Sequence, residues 1–387
     1  MIITHALAQK IVDNIIPLVQ ENVNIMNASG IIIGSGQKNR INTLHQGAKA
    51  VIETGEVNEI YPADLERYPG ALPGLNWPIV LEQQIVGAVG ISGNPDAVRN
   101  TAKLVKMVTE LILERESLME EIQANMQLRE QFVQLLLSDS SAANHTQISR
   151  MASLLRFELD IPRVIAVANI SEMVEDTLKQ YGSLDLVTAR IREHVKHLLE
   201  SSYLVTSLDM AVFSDNQLII LKHFPGGTAS DEINQWGAAF VEVLKTEFRS
   251  DALLMGVGSL AESPMDLKYS LAEALFARQQ RSEAGLASIS DFDILISYLI
   301  KEPGSLNTCI TYKRMKEAIH SGLDRKYDMR NTVNAVLQCN LNLSIAAKAL
   351  YVHRNTLVFR LNKLKELTGL SPSQFLNHAM LCKLLFS

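Results

Sequence analysis

The sequence predicts a multidomain α+β protein. Three observations lead to this fold class: β-branched runs alternate with helical stretches near the N-terminus, one long amphipathic stretch follows, and a basic pair of short helices stands near the C-terminus. A chain of 387 residues exceeds one ordinary domain, and a hydrophobic content of 47% is enough for several cores. We expect an N-terminal α+β unit, a long linker helix, an α/β unit and an all-α C-terminal unit.

In the first 95 residues, segments of helical and β periodicity alternate. They are a helix at residues 6–19, a hairpin at 23–27 and 31–33, a helix at 41–54, and a second hairpin at 77–80 and 85–91. This order predicts a small antiparallel sheet with helices on one face. It is the α+β pattern typical of PAS-like sensor modules.

A polar loop at residues 34–40 joins the first hairpin to the second helix. Glycine frees backbone N–H groups to turn toward a ligand, a helix N-terminus adds partial positive charge, and a guanidinium fits a carboxylate. Candidate contacts are two glycines, one guanidinium, one imidazole and two groups for hydroxyls: Gly34, Gly36, Arg40, His45, Ser35 and Asn39. This set suits a small polyhydroxylated anion. A surface loop with only a capping role is the alternative.

Residues 96–138 predict one long amphipathic helix. Its apolar residues follow a 3–4 alternation: Leu104, Val108, Leu111, Leu118, Ile122 and Phe132. Arg115, Asn125 and Arg129 interrupt this heptad at core positions, so the helix is an imperfect coiled coil. A marginal seam suits a signalling helix that rotates or shifts. A plain packing helix is the alternative.

The middle of the chain, residues 146–300, predicts an α/β domain. Its segments are a strand at 163–170, a helix at 184–201, a hairpin at 210–213 and 218–221, a helix at 231–248, a strand at 253–257 and a helix at 264–281. A break at residues 298–307 is expected to precede the last unit, because it contains Pro303 and Gly304.

Residues 343–367 predict two helices joined by a tight turn. Ser344 is the expected N-cap of the first helix. In the second helix, Leu357, Leu361 and Leu364 form one buried stripe. Tyr351 lies at the turn position where many such motifs have glycine, which predicts a left-handed backbone conformation there.

The charge of this helix pair points to nucleic acid. Residues 340–367 contain five bases and one acid, within a chain of net charge −6. Thr356, Arg360 and Lys363 share a face beside the buried stripe. An exposed helix with Arg, Asn and Thr near its start suits the DNA major groove. A solvated helical hairpin with ordinary surface lysines is the alternative.

Composition excludes several classes of protein. No run approaches the 18 or so apolar residues of a membrane span, and the N-terminus does not have the pattern of a signal sequence. Cys309, Cys339 and Cys382 have no metal-like spacing and predict small buried side chains in a reducing cytoplasm.

Two groups of residues resemble a known family. Val352-His353-Arg354-Asn355-Thr356-Leu357 with Arg360-Leu361 resembles the Fis-type helix-turn-helix of the PucR/CdaR regulators. Residues 22–26, 30–36, 40–41, 44–48, 75–78 and 87–91 are similar to the sugar-diacid recognition domain of the same regulators. The chain therefore resembles the CdaR/SdaR family of sugar-diacid-responsive transcriptional regulators.

The resemblance implies three domains: a recognition domain with its signalling helix at residues 1–137, a GGDEF-like domain at 146–300 and a PucR-type helix-turn-helix at 310–387. Enzymes of the GGDEF type need acids on the first strand and in the hairpin. Here the strand offers Asn169, and Asp215 stands alone in the hairpin. We therefore expect a degenerate domain without catalysis, metal or cofactor.

The implied function is transcriptional activation of sugar-diacid or glycerate uptake and catabolism genes by a cytoplasmic homodimer or higher oligomer. The expected effector is glucarate, galactarate or glycerate, bound by Ser35, Gly36, Asn39, Arg40, His45 and Asn76. The expected contacts to double-stranded DNA are Ser344, His353, Arg354, Asn355, Thr356, Arg360 and Lys363, with Arg360 and Lys363 on phosphate. The alternatives are a ligand-gated interaction protein with an acidic partner and an active nucleotide cyclase.

Overall fold

The computed structural model describes residues 3–68, 71–182, 187, 190–191, 193–194, 197–198, 201–214, 216–320 and 324–386. The chain divides into two compact units, Met1–Asn125 and Met126–Ser387. We refer to them as the first unit and the second unit. The predicted α+β class is confirmed, since sheets and helices occur in both units.

The first unit is built around a five-stranded antiparallel sheet of order β2-β1-β5-β4-β3. Its elements in chain order are α1 (His5–Val19), β1 (Val23–Asn27), β2 (Ile32–Ser35), α2 (Gln46–Thr54), β3 (Asn58–Ile60), β4 (Gly74–Leu81) and β5 (Gln84–Ser92). Both predicted hairpins are present, and β3 adds the strand that the sequence pattern did not reveal.

Helices cover both faces of this sheet, so the prediction of helices on one face was wrong. α1 and the first part of α3 (Pro95–Leu136) pack with Ile25, Leu75 and Val89 on one face. α2 packs with Met26 and Ala88 on the other. Alternate residues of a strand point to opposite faces, which is why Ile25 and Met26 separate in this way.

The second helix begins five residues later than predicted. Residues Lys38–Arg40 form a single 3-10 turn, and Asn42 has a left-handed backbone with φ of 68°. α2 starts at Gln46, with His45 as its N-cap. His45 is therefore not one turn inside the helix, and Arg40 precedes the helix by a short extended segment.

The predicted long helix is present as α3, a continuous helix of 42 residues. In the first unit, the side chains of Val98, Ala102, Val105 and Leu113 are buried in the core. In the second unit, Phe132, Val133 and Leu136 from the last turns of α3 are buried in a different hydrophobic core, which also contains Ile148 and Ile165.

The second unit contains a second five-stranded sheet. The elements of its GGDEF-like part are α4 (His145–Leu155), β6 (Arg163–Asn169), α5 (Ser171–Tyr181), β7 (Met210–Ser214), β8 (Gln217–His223), α6 (Ser230–Phe248), β9 (Leu254–Val257), α7 (Leu267–Gln279) and β10 (Gly285–Ser288). The strand order is β10-β9-β6-β8-β7, and β9 and β10 are parallel. The helix predicted at residues 184–201 lies partly outside the described residues.

The rest of the second unit is helical. Its elements are α8 (Phe292–Lys301), α9 (Ser305–Thr308), α10 (Ile310–Ala318), α11 (Asp324–Tyr327), α12 (Met329–Gln338), α13 (Leu343–Ala349), α14 (Arg354–Thr368) and α15 (Leu376–Leu385). The final helix begins at Leu376, with Phe375 as its N-cap, and both side chains are exposed.

One hydrophobic core joins the GGDEF-like part to the C-terminal helices. It includes Phe276 and Ala287 from the former, and Val333, Leu364 and Leu381 from the latter. The predicted break at residues 298–307 therefore lies inside a compact unit, where helices on both sides share buried side chains. The boundaries of the two predicted domains stay predictions.

A buried carboxylate strengthens this junction. Glu273 on α7 accepts hydrogen bonds from the backbone N–H of Ser259 at 2.8 Å and of Ile310 at 2.7 Å. Burial raises the pKa of Glu273. Because Ile310 is the first residue of α10, the side chain satisfies a donor at that helix start.

No helix in the described part of the chain combines the length and the apolar character needed to cross a bilayer.

Candidate functional site

A row of polar residues crosses the sheet of the first unit. The strand registers place Ser35 opposite Asn24, Asn24 opposite Gly90, Gly90 opposite Asn76, and Asn76 opposite Asn58. Directly opposed residues of antiparallel strands share a face. All five strands therefore contribute one small or polar residue to a single line, which we call the polar row.

The N-terminus of α2 lies over the polar row. The Asn58 side chain donates to the carbonyl of Gly47 at 3.2 Å. A Cβ placed on Gly47 would lie 3.0 Å from Asn76 Nδ2 and 3.3 Å from His45 Cε1. His45 and Asn76, both predicted as ligand contacts, are therefore neighbours around Gly47. Three residues of this arrangement, Asn24, Asn58 and Gly90, were missed by the sequence prediction.

Asn76 is buried without a hydrogen-bond partner. Only 3% of the residue is exposed, and its amide makes no hydrogen bond with any described residue. Its amide atoms are not among the fully buried atoms that lack a partner in the described residues, so they stay accessible to water or to a ligand. Gly90 beside it makes room for this amide, since a Cβ there would lie 2.6 Å from Asn76 Oδ1. These features suit a polar ligand that supplies the missing bonds.

His45 is neutral at neutral pH. Burial, followed by the positive charge of Arg40, lowers its pKa to about 4. Its Nδ1 accepts a hydrogen bond from the Ala48 N–H at 3.2 Å, which places the ring proton on Nε2. The imidazole is therefore a donor at Nε2. Arg40 is half-buried, burial lowers its pKa, and its guanidinium supplies the positive charge near this site.

The other three predicted effector contacts are placed differently. Ser35 is fully buried, and its hydroxyl donates to Asn24 Oδ1 at 2.6 Å and accepts from the Gln37 N–H at 3.0 Å. Its hydrogen bonds thus hold the strand and the loop together. Gly36 and Asn39 are exposed on the loop, away from the buried side chains of the row.

The helix-turn-helix has its own small core. Its buried side chains are Ala335, Val336, Ala346, Ala347, Leu357 and Leu361. The predicted stripe of Leu357, Leu361 and Leu364 is confirmed as buried. Ala347 is buried in this core together with Leu357 and Leu361 of α14.

The N-cap of α13 is Asn342, so the assignment of that role to Ser344 was wrong. Asn342 Oδ1 accepts from the backbone N–H of Ser344 and of Ile345, both at 3.1 Å. Ser344 lies inside the first turn and is exposed. The turn between the helices has the predicted left-handed residue, because Tyr351 has φ of 56°.

The first turn of α14 presents its polar side chains to solvent. Arg354, Asn355 and Thr356 are exposed. His353 is the N-cap, and its Nδ1 accepts from the Asn355 N–H at 3.2 Å. These three predicted contacts therefore form one exposed group at the N-terminus of α14, which is the positive end of the helix dipole.

Two predicted phosphate contacts are held in ion pairs of the chain itself. Arg360 donates to Thr332 Oγ1 at 2.9 Å and lies 3.5 Å from Asp328 Oδ2, with one fifth of its side chain exposed. Lys363 pairs with Glu366 on the same helix. The exposed cations that the prediction omitted are Lys348 on α13 and Lys365 on α14.

The described ends of the GGDEF-like strands can be compared with the positions where enzymes of the GGDEF type need acids. Asn169 ends β6, and Asp215 lies outside the described residues. Within the described part of the chain, no group of three or more His, Cys, Asp or Glu side chains is arranged to hold a metal ion.

Comparison with known proteins decides the family. The chain matches the sugar diacid recognition family over residues 3–136, the GGDEF-like domain over 139–279 and the PucR C-terminal helix-turn-helix domain over 329–381. It is 30% identical over 387 residues to the carbohydrate diacid regulator of Escherichia coli, covering 95% of this chain and 94% of that protein. The chain belongs to the carbohydrate diacid regulator family.

Two further relatives align over nearly the whole of both chains. An uncharacterized protein of Haemophilus influenzae is 26% identical, with 94% of this chain and 93% of that protein aligned. The uncharacterized protein YsfB of Bacillus subtilis is 23% identical, with 96% and 94% aligned. A crystal structure of a regulator of polyketide synthase expression from Bifidobacterium adolescentis matches with a TM-score of 0.42 and 16% identity, over 67% of this chain and 96% of that chain.

Membership of this family, together with the helix-turn-helix, identifies a DNA-binding transcriptional regulator. The protein is not an enzyme, and its GGDEF-like domain is degenerate.

The low pKa of His45 predicts a pH dependence of the first unit's stability. Below pH 6.5 the unfolded chain takes up a proton on this imidazole, whereas the folded chain does so only near pH 4. The free energy of unfolding should therefore fall by about 2 kcal/mol between pH 7 and pH 5. Urea unfolding in a Trp236→Phe background, followed by Trp77 fluorescence, measures this change.

His45→Asn retains a capping acceptor and removes the titrating group. It should flatten the pH dependence, whereas the exposed control His5→Gln should leave it unchanged. An equally steep dependence in His45→Asn would contradict the assignment.

The capping assignment predicts unequal effects of two neighbouring substitutions. Asn342→Ala removes the acceptor for two backbone donors and should lower the local opening free energy of α13 by about 1 kcal/mol. Ser344→Ala should change it by less than about 0.5 kcal/mol. Hydrogen exchange of residues 343–350 measures both values, and an equal loss in the two variants would refute the assignment.

Proposed function

We propose that the protein activates genes of sugar-diacid or glycerate uptake and catabolism, and that a small sugar acid bound over the polar row controls it. The observation that carries the proposal is Asn76, a buried amide without a protein partner in the described structure, beside the charge of Arg40 and the Nε2 donor of His45. The name of the Escherichia coli relative supports a diacid as ligand. Glucarate, galactarate and glycerate are the candidates.

Each group has a role that follows from its chemistry. Arg40 binds a carboxylate of the effector through its planar guanidinium. Asn76 offers both donor and acceptor to a hydroxyl, and His45 Nε2 donates to an oxygen. Asn24 and Ser35 already bond to each other, so they form the wall of the site. Gly36 and Asn39 belong to the loop that holds Arg40 in place.

DNA binding is assigned to the first turn of α14. Arg354, Asn355 and Thr356 contact base edges in the major groove, with His353 as the cap that orders this turn. Lys348 and Lys365, which are exposed, are placed on phosphates. Arg360 acts as a positioning residue through Asp328 and Thr332. Lys363 leaves its ion pair with Glu366 and binds a DNA phosphate instead, because ion pairs on the protein surface are weak.

The regulator works as a homodimer, since two recognition helices one DNA turn apart read two half-sites. Effector binding biases an existing equilibrium between arrangements of the two reading heads. The first unit is proposed to be a PAS-like sensor, which its antiparallel sheet of order β2-β1-β5-β4-β3 supports.

The effector site predicts a specific loss of ligand stabilisation. Glucarate, galactarate and glycerate are screened on the full chain, and at about 100 times the dissociation constant a ligand should add about 2.7 kcal/mol to the stability of the folded state. Arg40→Ala and Asn76→Asp should abolish the rise in melting temperature, the latter because it places a carboxylate beside the anionic ligand. Differential scanning fluorimetry measures it.

Lys38→Ala is the matched control, because Lys38 is an exposed cation on the same turn as Arg40. It should retain the full shift. If Lys38→Ala lost the shift while Asn76→Asp kept it, the ligand would bind at the outer loop instead.

The DNA-binding surface predicts two kinds of variant. Arg354→Ala should lower operator affinity by about 1–3 kcal/mol and lower selectivity. Lys348→Ala should weaken all sequences alike and reduce the slope of log affinity against log salt by about 1. Fluorescence anisotropy with specific and random duplexes at several salt concentrations separates the two.

Lys383→Ala serves as the control, since Lys383 is an exposed cation on α15. It should change neither selectivity nor salt slope. Binding that responds only to Lys383, or that shows no preference for DNA over an acidic protein, would support the interaction-protein alternative.

A further inference from the structure

The outer face of α3 has a line of exposed apolar side chains. They are Leu104, Val108, Leu111, Leu118 and Ile122, with Met107 and Met119 at the margins, and between 37% and 59% of each residue is exposed. We call these residues the apolar stripe. Single exposed apolar residues are ordinary, but a contiguous line about 27 Å long marks an interaction surface.

The core of the first unit does not use this stripe. Val98, Ala102, Val105 and Leu113 lie on the other side of the same helix and pack against the sheet. The helix thus has one apolar face toward its own unit and another toward solvent. A helix that packs only against its own unit needs a single apolar face, so the second apolar face of α3 indicates a second packing partner.

We infer that a second copy of this chain packs on the apolar stripe in parallel and in register. The inference rests on the homodimer of the proposed function and names its interface. The spacing of the stripe is the 3–4 alternation of a two-stranded coiled coil, with Leu104, Leu111 and Leu118 at equivalent heptad positions. Such a seam is self-complementary, because each leucine meets its own symmetry mate.

Charge decides the direction of the pair. Arg115 interrupts the stripe at a core position, and both Arg115 and Glu114 are exposed without an ion pair in the described part of their own chain. In a parallel pair, the residue at the first core position of each heptad contacts a residue of the partner helix. That residue directly precedes the equivalent core position. Arg115 would therefore lie beside the partner's Glu114.

An antiparallel pair leaves this charge unsatisfied. If the helices crossed at residue 113, Leu104 would meet Ile122 and Leu111 would meet Arg115. The guanidinium would then be covered by leucine without a carboxylate, which costs free energy. In the parallel arrangement each Arg115 also faces its own symmetry mate, and the partner's Glu114 compensates these two like charges.

The first experiment measures the oligomeric state of the full chain by sedimentation velocity, without DNA or effector. Wild type should be a dimer, and Leu111→Glu should raise the dimer dissociation constant at least about 10-fold, since it places two carboxylates in the seam. Lys103→Glu, an exposed substitution off the stripe, should leave the constant unchanged. A dimer unaffected by Leu111→Glu would overturn the proposal.

Charge exchange tests the contact itself. Arg115→Glu and Glu114→Arg should each weaken the dimer, because four charges of one sign then meet at one level of the seam. The double variant should restore it, which a simple folding defect would not do. Two weakened single variants without rescue in the double variant would refute the predicted neighbour.

Cysteine crosslinking tests direction. Leu104→Cys and Ile122→Cys should each form a disulfide with its own copy in a parallel pair, with the wild-type chain as control for the native thiols. Crosslinks that form only when the two variants are mixed would demonstrate the antiparallel pair and overturn the inference. Loss of DNA or effector binding with an intact parallel dimer would refute the proposed function and leave this interface standing.

Discussion

The recognition helix is fixed by two hydrophobic cores at once. Leu357 and Leu361 pack in the core of the helix-turn-helix, whereas Leu364, one turn further on, lies in the core that contains Phe276 and Ala287 of the GGDEF-like part. A helix held at both levels cannot change its angle to that part without opening one of them. The exposed side chains of Arg354, Asn355 and Thr356 on this helix therefore move together with the GGDEF-like part.

The first unit uses a different principle, in which polar side chains occupy a sheet that is otherwise apolar. Asn24 and Asn76 are buried within strands, where asparagine is uncommon. A hydrogen bond to Ser35 satisfies Asn24, but Asn76 has no protein partner in the described structure. Polar groups inside a protein are normally paired, so Asn24 is part of the framework of the sheet, whereas the amide of Asn76 keeps its hydrogen-bonding capacity.

The sequence predicted what depends on periodicity and local chemistry. The hairpins, the long helix, the stripe of Leu357, Leu361 and Leu364, and the left-handed Tyr351 follow from such patterns. Strand register and competition between caps are not local. The polar row was therefore not predicted, although three of its strands contain an asparagine. Asn342 and not Ser344 is the N-cap of α13, because the Asn342 side chain accepts from two backbone donors.

Gly90 at the centre of the polar row determines where the side chain of Asn76 can lie. A Cβ at position 90 would stand 2.6 Å from the amide oxygen of Asn76, so any larger residue would displace that side chain. Because the amide nitrogen of Asn76 lies close to Gly47 in the first turn of α2, the displacement would also disturb the packing of that helix on the sheet.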